Sequence, residues 1–153
     1  MPEVNLSKLK KLFQEKKYSE IVMDIELKTI ESDRSPALHN LLGVCRASQK
    51  GKTDRDVQYA LDDFEKAFYK DNLGQISLEA LCSHITLCAE MGRKENDLVN
   101  NFLTSEKMYI EAEKKYSKNI KYLTYGVDLY KYLLKHDKRI SKIEEVINLK
   151  SLD

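Results

Sequence analysis

Apolar residues recur three and four positions apart along most of this chain, and nowhere do they alternate over the length of a strand. A spacing of three and four puts side chains on one stripe of an α-helix, whereas a half-buried strand needs a spacing of two. The pattern therefore predicts an all-α fold. Leu6, Leu9, Leu12 and Phe13 share a helical face between about Asn5 and Lys16. Ile21, Val22, Ile25 and Ile30, with Leu27 beside them, follow a break at Tyr18-Ser19, where the Ser19 hydroxyl is suited to cap the next helix. Ser35-Pro36 reads as an N-cap followed by proline at the first helical position. The helix it opens runs to about Gln49 and carries Leu38, Leu41, Leu42, Val44 and Cys45.

Thr53-Asp54-Arg55-Asp56 has the form of a capping box, with Asp in the place of Glu. The helix that follows, to about Lys70, carries Val57, Ala60, Leu61, Phe64, Ala67 and Phe68. A turn at 71–74 leads to a fifth helix from about Gln75 to Met91, with Gly92 as its C′ residue. Three more helices are expected at about Asn96–Tyr116, Asn119–Lys135 and Arg139–Leu149. Short links make consecutive helices antiparallel neighbours, giving eight helices in four hairpins. Only 5 Gly and 2 Pro occur in 153 residues, too few for many short strands and their turns. That length suits a single domain spanning residues 1–153.

Two stretches repeat one motif. The clearer is His39-x2-Leu42-Gly43-x2-Arg46, then Ala60-x3-Phe64-x2-Ala67. The second is Tyr122-x2-Tyr125-Gly126-x2-Leu129, with Ile143-x3-Ile147 where Ala-x3-Phe would stand. In both, 17 residues separate the Gly from the next marker. A Gly on the inner face lets two helices approach closely, and a small residue four before a large one makes a hole and a knob. Lys17-Tyr18-Ser19-Glu20-Ile21 with Ile25, and Gly92 with Leu98-x3-Phe102, are weaker copies on either side.

The pattern resembles the tetratricopeptide repeat, with His39, Arg46 and Asn72 in place of its usual Trp, Tyr and Pro. The resemblance implies a right-handed superhelix of about four antiparallel hairpins, its first helices lining a concave groove that holds a peptide or a partner helix. Carried over by register, the groove positions are Asn40, Val44, Ala47 and Ser48 in the clear repeat. Before it come Leu6, Lys10, Phe13 and Gln14, and after it Ser83, Leu87 and Met91. Val44 and Leu87 also suit the core. The set is mixed, with an Asn able to bond peptide backbone and one Lys. It lacks the several basic residues with which the family clamps a terminal carboxylate.

Charge and chemistry narrow the function. The chain has 26 basic and 25 acidic residues, for a net +1. That balance argues against a nucleic-acid partner, although the part from Lys107 onward holds 11 basic against 7 acidic residues. No segment approaches the ~20 apolar residues of a membrane span, so no membrane insertion and a cytoplasmic location are expected. Cys45, Cys82 and Cys88 form no CxxC pair. His39, His84 and His136 are far apart, and only His84 and Cys88 are spaced to share a helix face, so neither a metal nor a cofactor is expected. Phosphate-binding loops and nucleophile elbows are absent. Asp62-Asp63 and Glu144-Glu145 read as solvated surface, and part of the late tyrosine cluster, Tyr125 and Tyr132 seven apart, as packing between helices seven and eight.

The expectation is a protein-interaction module rather than an enzyme, with a protein or peptide partner. Two alternatives stand beside it. The chain can be the N-terminal helical part of a larger enzyme such as a transferase, because it reaches Asp153 without a polar capping helix. It can also self-associate as a homo-oligomer, through an uncapped end or the long sixth helix.

Overall fold

The computed structural model describes residues 4–91, 95–133 and 144–149. Seven α-helices lie among them: α1 (Leu6–Gln14), α2 (Tyr18–Lys28), α3 (Pro36–Ser48), α4 (Asp54–Lys70), α5 (Gln75–Glu90), α6 (Glu95–Tyr116) and α7 (Ile120–Leu133). A single 3-10 turn at Glu31–Asp33 links α2 to α3. Residues 144–149 are also helical, and no strand occurs among the described residues. Gly92, His136, Arg139 and Ile143 lie outside them.

The helix starts follow from capping chemistry. Asn5, Ser35 and Thr53 accept the backbone N–H of Lys8, Leu38 and Asp56 at 3.0, 3.2 and 3.2 Å. Asp56 completes the box by accepting the Thr53 N–H at 2.8 Å. Ser19 does not cap. The chain reverses at Lys16, whose φ of 58° lies in the left-handed region. The Lys17 N–H then reaches back to the Leu12 carbonyl at 2.9 Å, and α2 begins at Tyr18. The reversal is complete before Ser19, which is a helical residue.

Each helix packs on the next, and α3 also touches α5, α5 touches α7, and α4 touches α6. The helices from α3 onward thus form two layers, α3–α5–α7 and α4–α6. The first hairpin departs from this plan: the backbones of α1 and α3, and those of α2 and α4, do not come close to one another. Two cores result. The larger holds Phe64, Phe68, Leu81, Ile85, Met108 and Leu129. The smaller holds Leu9, Ile21 and Ile25 against Leu42 and Cys45 of α3.

The α3–α4 pair is locked in two ways. A Cβ on Gly43 would stand 2.5 Å from Cε1 of the buried Phe64 ring, so the absent side chain is the hole that this knob fills. On either side of Gly43, His39 and Arg46 meet Asp63, which is only 3 % exposed. Asp63 accepts from the Arg46 guanidinium and, at 3.4 Å, from His39 Nδ1. The Lys70 ammonium lies 3.1 Å from His39 Nε2. An ammonium only donates, so Nε2 accepts and Nδ1 carries the proton. Arg46 also pairs with Glu26 of α2. Burial opposes the Arg46 charge, but Asp63 and Glu26 outweigh it and raise its pKa above the ordinary value. Reading Asp62-Asp63 as surface is therefore wrong for Asp63. Asp62 keeps a local partner, accepting from Gln58 at 3.1 Å.

The second glycine acts differently. A Cβ on Gly126 would fall within 3 Å of the Tyr109 ring on α6, not on a following helix. Tyr109 stacks on Tyr122 at 4.0 Å and meets Tyr130 edge-on at 5.9 Å. Tyr109, Tyr122 and Tyr130 thus pack α7 against α6, while Tyr125 packs on the larger core, as do Val146 and Ile147 of the 144–149 helix.

Two stability measurements check this fold. Gly43→Ala gains about 1 kcal/mol of helix propensity but forces apart a packed ring at a cost of about 1–3 kcal/mol. A net loss by chemical denaturation is expected, relieved when Phe64→Leu is added. Asp63→Ala strands a buried Arg and is expected to cost about 3–5 kcal/mol, whereas Asp62→Ala stays within about 0.5 kcal/mol of the parent. Equal effects at the two aspartates would contradict the buried network.

Candidate functional site

The layer α3–α5–α7 carries a groove of about 510 Å³. Asn40, Val44, Ala47 and Ser48 line it from α3, at the spacing that puts them on one helix face. Opposite them α5 presents Glu79, Cys82, Ser83, Thr86, Leu87 and Glu90, and α7 closes the groove with Lys121 and Tyr125. Phe64 of α4 reaches the floor beside Gly43. Glu79 and Glu90 stand eleven residues apart on α5, which is about 16 Å along its axis. Both are exposed at the rim, as is Lys121 across from them. Neither glutamate joins an ion pair among the described residues.

Asn40 is half-buried, and its side-chain oxygen has no hydrogen-bond partner. A buried carbonyl left unpaired costs about 1–3 kcal/mol, so the site holds unspent bonding capacity. The Thr86 hydroxyl is already committed to the Cys82 carbonyl at 2.8 Å.

Six of the eleven groove positions expected from sequence line this one surface: Asn40, Val44, Ala47, Ser48, Ser83 and Leu87. Leu87 is 2 % exposed and is at once wall and core. Met91 ends α5 and packs half-buried on the larger core instead. Leu6, Lys10, Phe13 and Gln14 are exposed on α1 and do not line the groove. The reason is that the backbone of α1 does not lie alongside α3: the layer of odd-numbered helices begins at α3.

Sequence reading missed Glu79, Thr86 and Glu90, although Ser83 at helical spacing points to all three. It also missed Lys121 and Tyr125. Carrying the α3 register through Gly126 selects Leu123, Val127, Tyr130 and Lys131, none of which lines the groove; Leu123 and Tyr130 are buried. Gly126 faces α6, so α7 turns a different face to the groove.

Behind the groove His84, Cys88 and Ser105 meet in the core. His84 Nδ1 bonds the Ser105 hydroxyl, and Cys88 Sγ lies 3.8 Å from the same nitrogen. Complete burial lowers the His84 pKa to about 3. Burial likewise pushes the Cys88 and Cys45 thiols up to about 12 and the Cys82 thiol up to about 11. A neutral imidazole that resists protonation beside a thiol that resists ionisation does not make a nucleophile. Among the described residues no group of three or more His, Cys, Asp or Glu is placed to hold a metal, and no helix is long and apolar enough to cross a membrane.

Compared with family models, curated proteins and solved structures, the chain matches none of them.

Two measurements test the interior behind the groove. His84 binds a proton more weakly folded than unfolded, so the unfolded state takes up protons first as pH falls through about 6.5. Stability from this residue is complete above that pH and declines below it, by about 2 kcal/mol between about pH 7 and about pH 5. Replacing it by His84→Gln is expected to flatten that part of the pH profile. The three thiols are expected to stay unreactive to a disulfide reagent at mildly alkaline pH until the protein unfolds. Rapid labelling of native protein would contradict their placement.

Proposed function

We propose that this chain holds a segment of another protein in the α3–α5–α7 groove and carries out no chemistry of its own. The observation that carries the reading is the convergence of Asn40, Val44, Ala47, Ser48, Ser83 and Leu87 on one open surface. An apolar floor with a few placed polar groups is the usual make-up of a recognition site. Support for a tetratricopeptide-like right-handed superhelix comes from the Gly43–Phe64 knob and hole and from the two-layer contacts. On this reading the first hairpin is a docked addition rather than a full repeat.

The lining also describes the occupant. Val44, Ala47, Phe64 and Leu87 accept apolar side chains of moderate size, and Asn40 bonds the backbone of an extended peptide or the polar edge of a helix. Glu79 and Glu90 against the single Lys121 favour a segment carrying basic residues.

Peptides selected from a random library on the intact chain test this. They are expected to be rich in Lys or Arg among apolar residues. Ala47→Arg and Ser83→Arg, which fill the groove, are expected to weaken them about ten-fold or more. Phe13→Ala, on α1, leaves binding unchanged. Selection of peptides indifferent to both groove variants would overturn the assignment.

A further inference from the structure

The link between α2 and α3 is fastened to the C-terminal end of α4 by two lysines. Lys66 pairs with the Glu31 carboxylate. Lys70 donates to the Arg34 carbonyl at 2.9 Å and to the Glu31 carbonyl at 3.3 Å. The remaining partner of the Lys70 ammonium is His39 Nε2, at 3.1 Å. An ammonium has three N–H donors and no lone pair, so these acceptors use all of its capacity. Lys70 itself is exposed, whereas His39 is fully buried. The fastening therefore sits where the buried network of α3 and α4 meets water.

Of the acceptors on Lys70, only Nε2 can be switched. A backbone carbonyl accepts at every pH, but an imidazole nitrogen accepts only while the ring is neutral. Histidine is the side chain whose charge ordinarily changes between about pH 5 and about pH 8. Nδ1 already carries a proton toward Asp63, at 3.4 Å, so a second proton enters at Nε2. The acceptor then becomes a donor aimed at an ammonium, with two positive charges 3.1 Å apart. Asp63 is the anion beside the ring, and Arg46 shares it and passes the contact on to Glu26 of α2. The charged side chains of α5, Glu79 and Glu90, stand at the groove rim instead, and His84 is bonded to Ser105. The group free to leave is Lys70, which has water next to it.

We infer that His39 is an acid-sensitive latch on the link that carries the first hairpin: proton uptake at Nε2 expels the Lys70 ammonium, which lets go of the Glu31 and Arg34 carbonyls. One proton comes from water and no covalent bond changes, so loss of that proton restores the acceptor and closes the latch again. The hairpin stays docked meanwhile. The Glu26–Arg46 and Glu31–Lys66 pairs remain, as does the packing of Leu9, Ile21 and Ile25 on Leu42 and Cys45. What opens is the link alone, a local event well below global unfolding.

Two NMR readouts on the full chain, at about pH 7.5 and about pH 5.5, test this. The ring-nitrogen shifts of His39 report its protonation. Exchange of the Asp33 and Arg34 amides, bonded to the Ile30 and Glu31 carbonyls at 3.0 and 3.2 Å, reports the link once the intrinsic effect of pH is removed. At the lower pH the ring is expected to be doubly protonated and the protection of both amides to fall about five-fold or more. His39→Gln, whose side-chain carbonyl accepts from Lys70 at either pH, is expected to abolish the fall. Lys70→Met, at an exposed position that leaves the fold intact, is expected to give low protection at both pH values. His84→Gln keeps the parent's response, which separates the latch from any general loss of stability. A ring that stays neutral at the lower pH overturns the inference. So does unchanged protection beside a protonated ring, or a parent-like pH response in Lys70→Met.

Discussion

Everything from α3 onward depends on how α3 seats on α4. The seat is a small piece of physics: one missing side chain, Gly43, admits the Phe64 ring. Close approach then brings Arg46, Asp63 and the His39 imidazole out of water together, with the exposed Lys70 ammonium reaching in to His39. Arg46, Asp63 and His39 tolerate that only because each finds a partner there. Neither half is sufficient alone. Packing without the ion network leaves buried charges unpaid, and the network without the glycine cannot close. The same contact reaches α2 through Glu26, which ties the outlying hairpin to the stack.

The groove is a consequence of that seating. With α4 held behind it, α3 turns Asn40, Val44, Ala47 and Ser48 to the opposite side, and α5 and α7 complete the wall. The interior behind the wall is inert by construction. His84 and the three cysteines are buried far enough that neither proton uptake nor thiolate formation is favourable. One surface is a groove with acidic groups at its rim, and the other is the hairpin with its exposed apolar residues.

Much of this was legible in the sequence, and the exceptions have physical causes. Helix periodicity and the caps at Ser35 and Thr53 are local properties, so they could be read directly. The α3 and α5 groove positions followed from one register carried across two strongly patterned helices. Asp63 could not be recognised, because an Asp-Asp pair on a helix is ordinarily wet. Its partners stand 17 and 24 residues earlier and only the fold brings them near. Phe13 and Lys10 were misplaced because local pattern does not report that the backbone of α1 does not lie alongside α3. Gly126 misled in direction: a glycine announces a close approach but not which neighbour makes it, and here the neighbour is Tyr109 of the preceding helix.

The central claim is that the surface shared by α3, α5 and α7 is where a partner segment lies. The most direct measurement is a set of amide chemical shifts recorded as a basic, apolar peptide is titrated into the protein. The account predicts the largest changes at Asn40, Ala47, Ser83, Thr86 and Tyr125, with the α1–α2 hairpin unmoved at constant protein concentration. Changes concentrated on α1 and α2, or on the outer faces of α4 and α6, would contradict it.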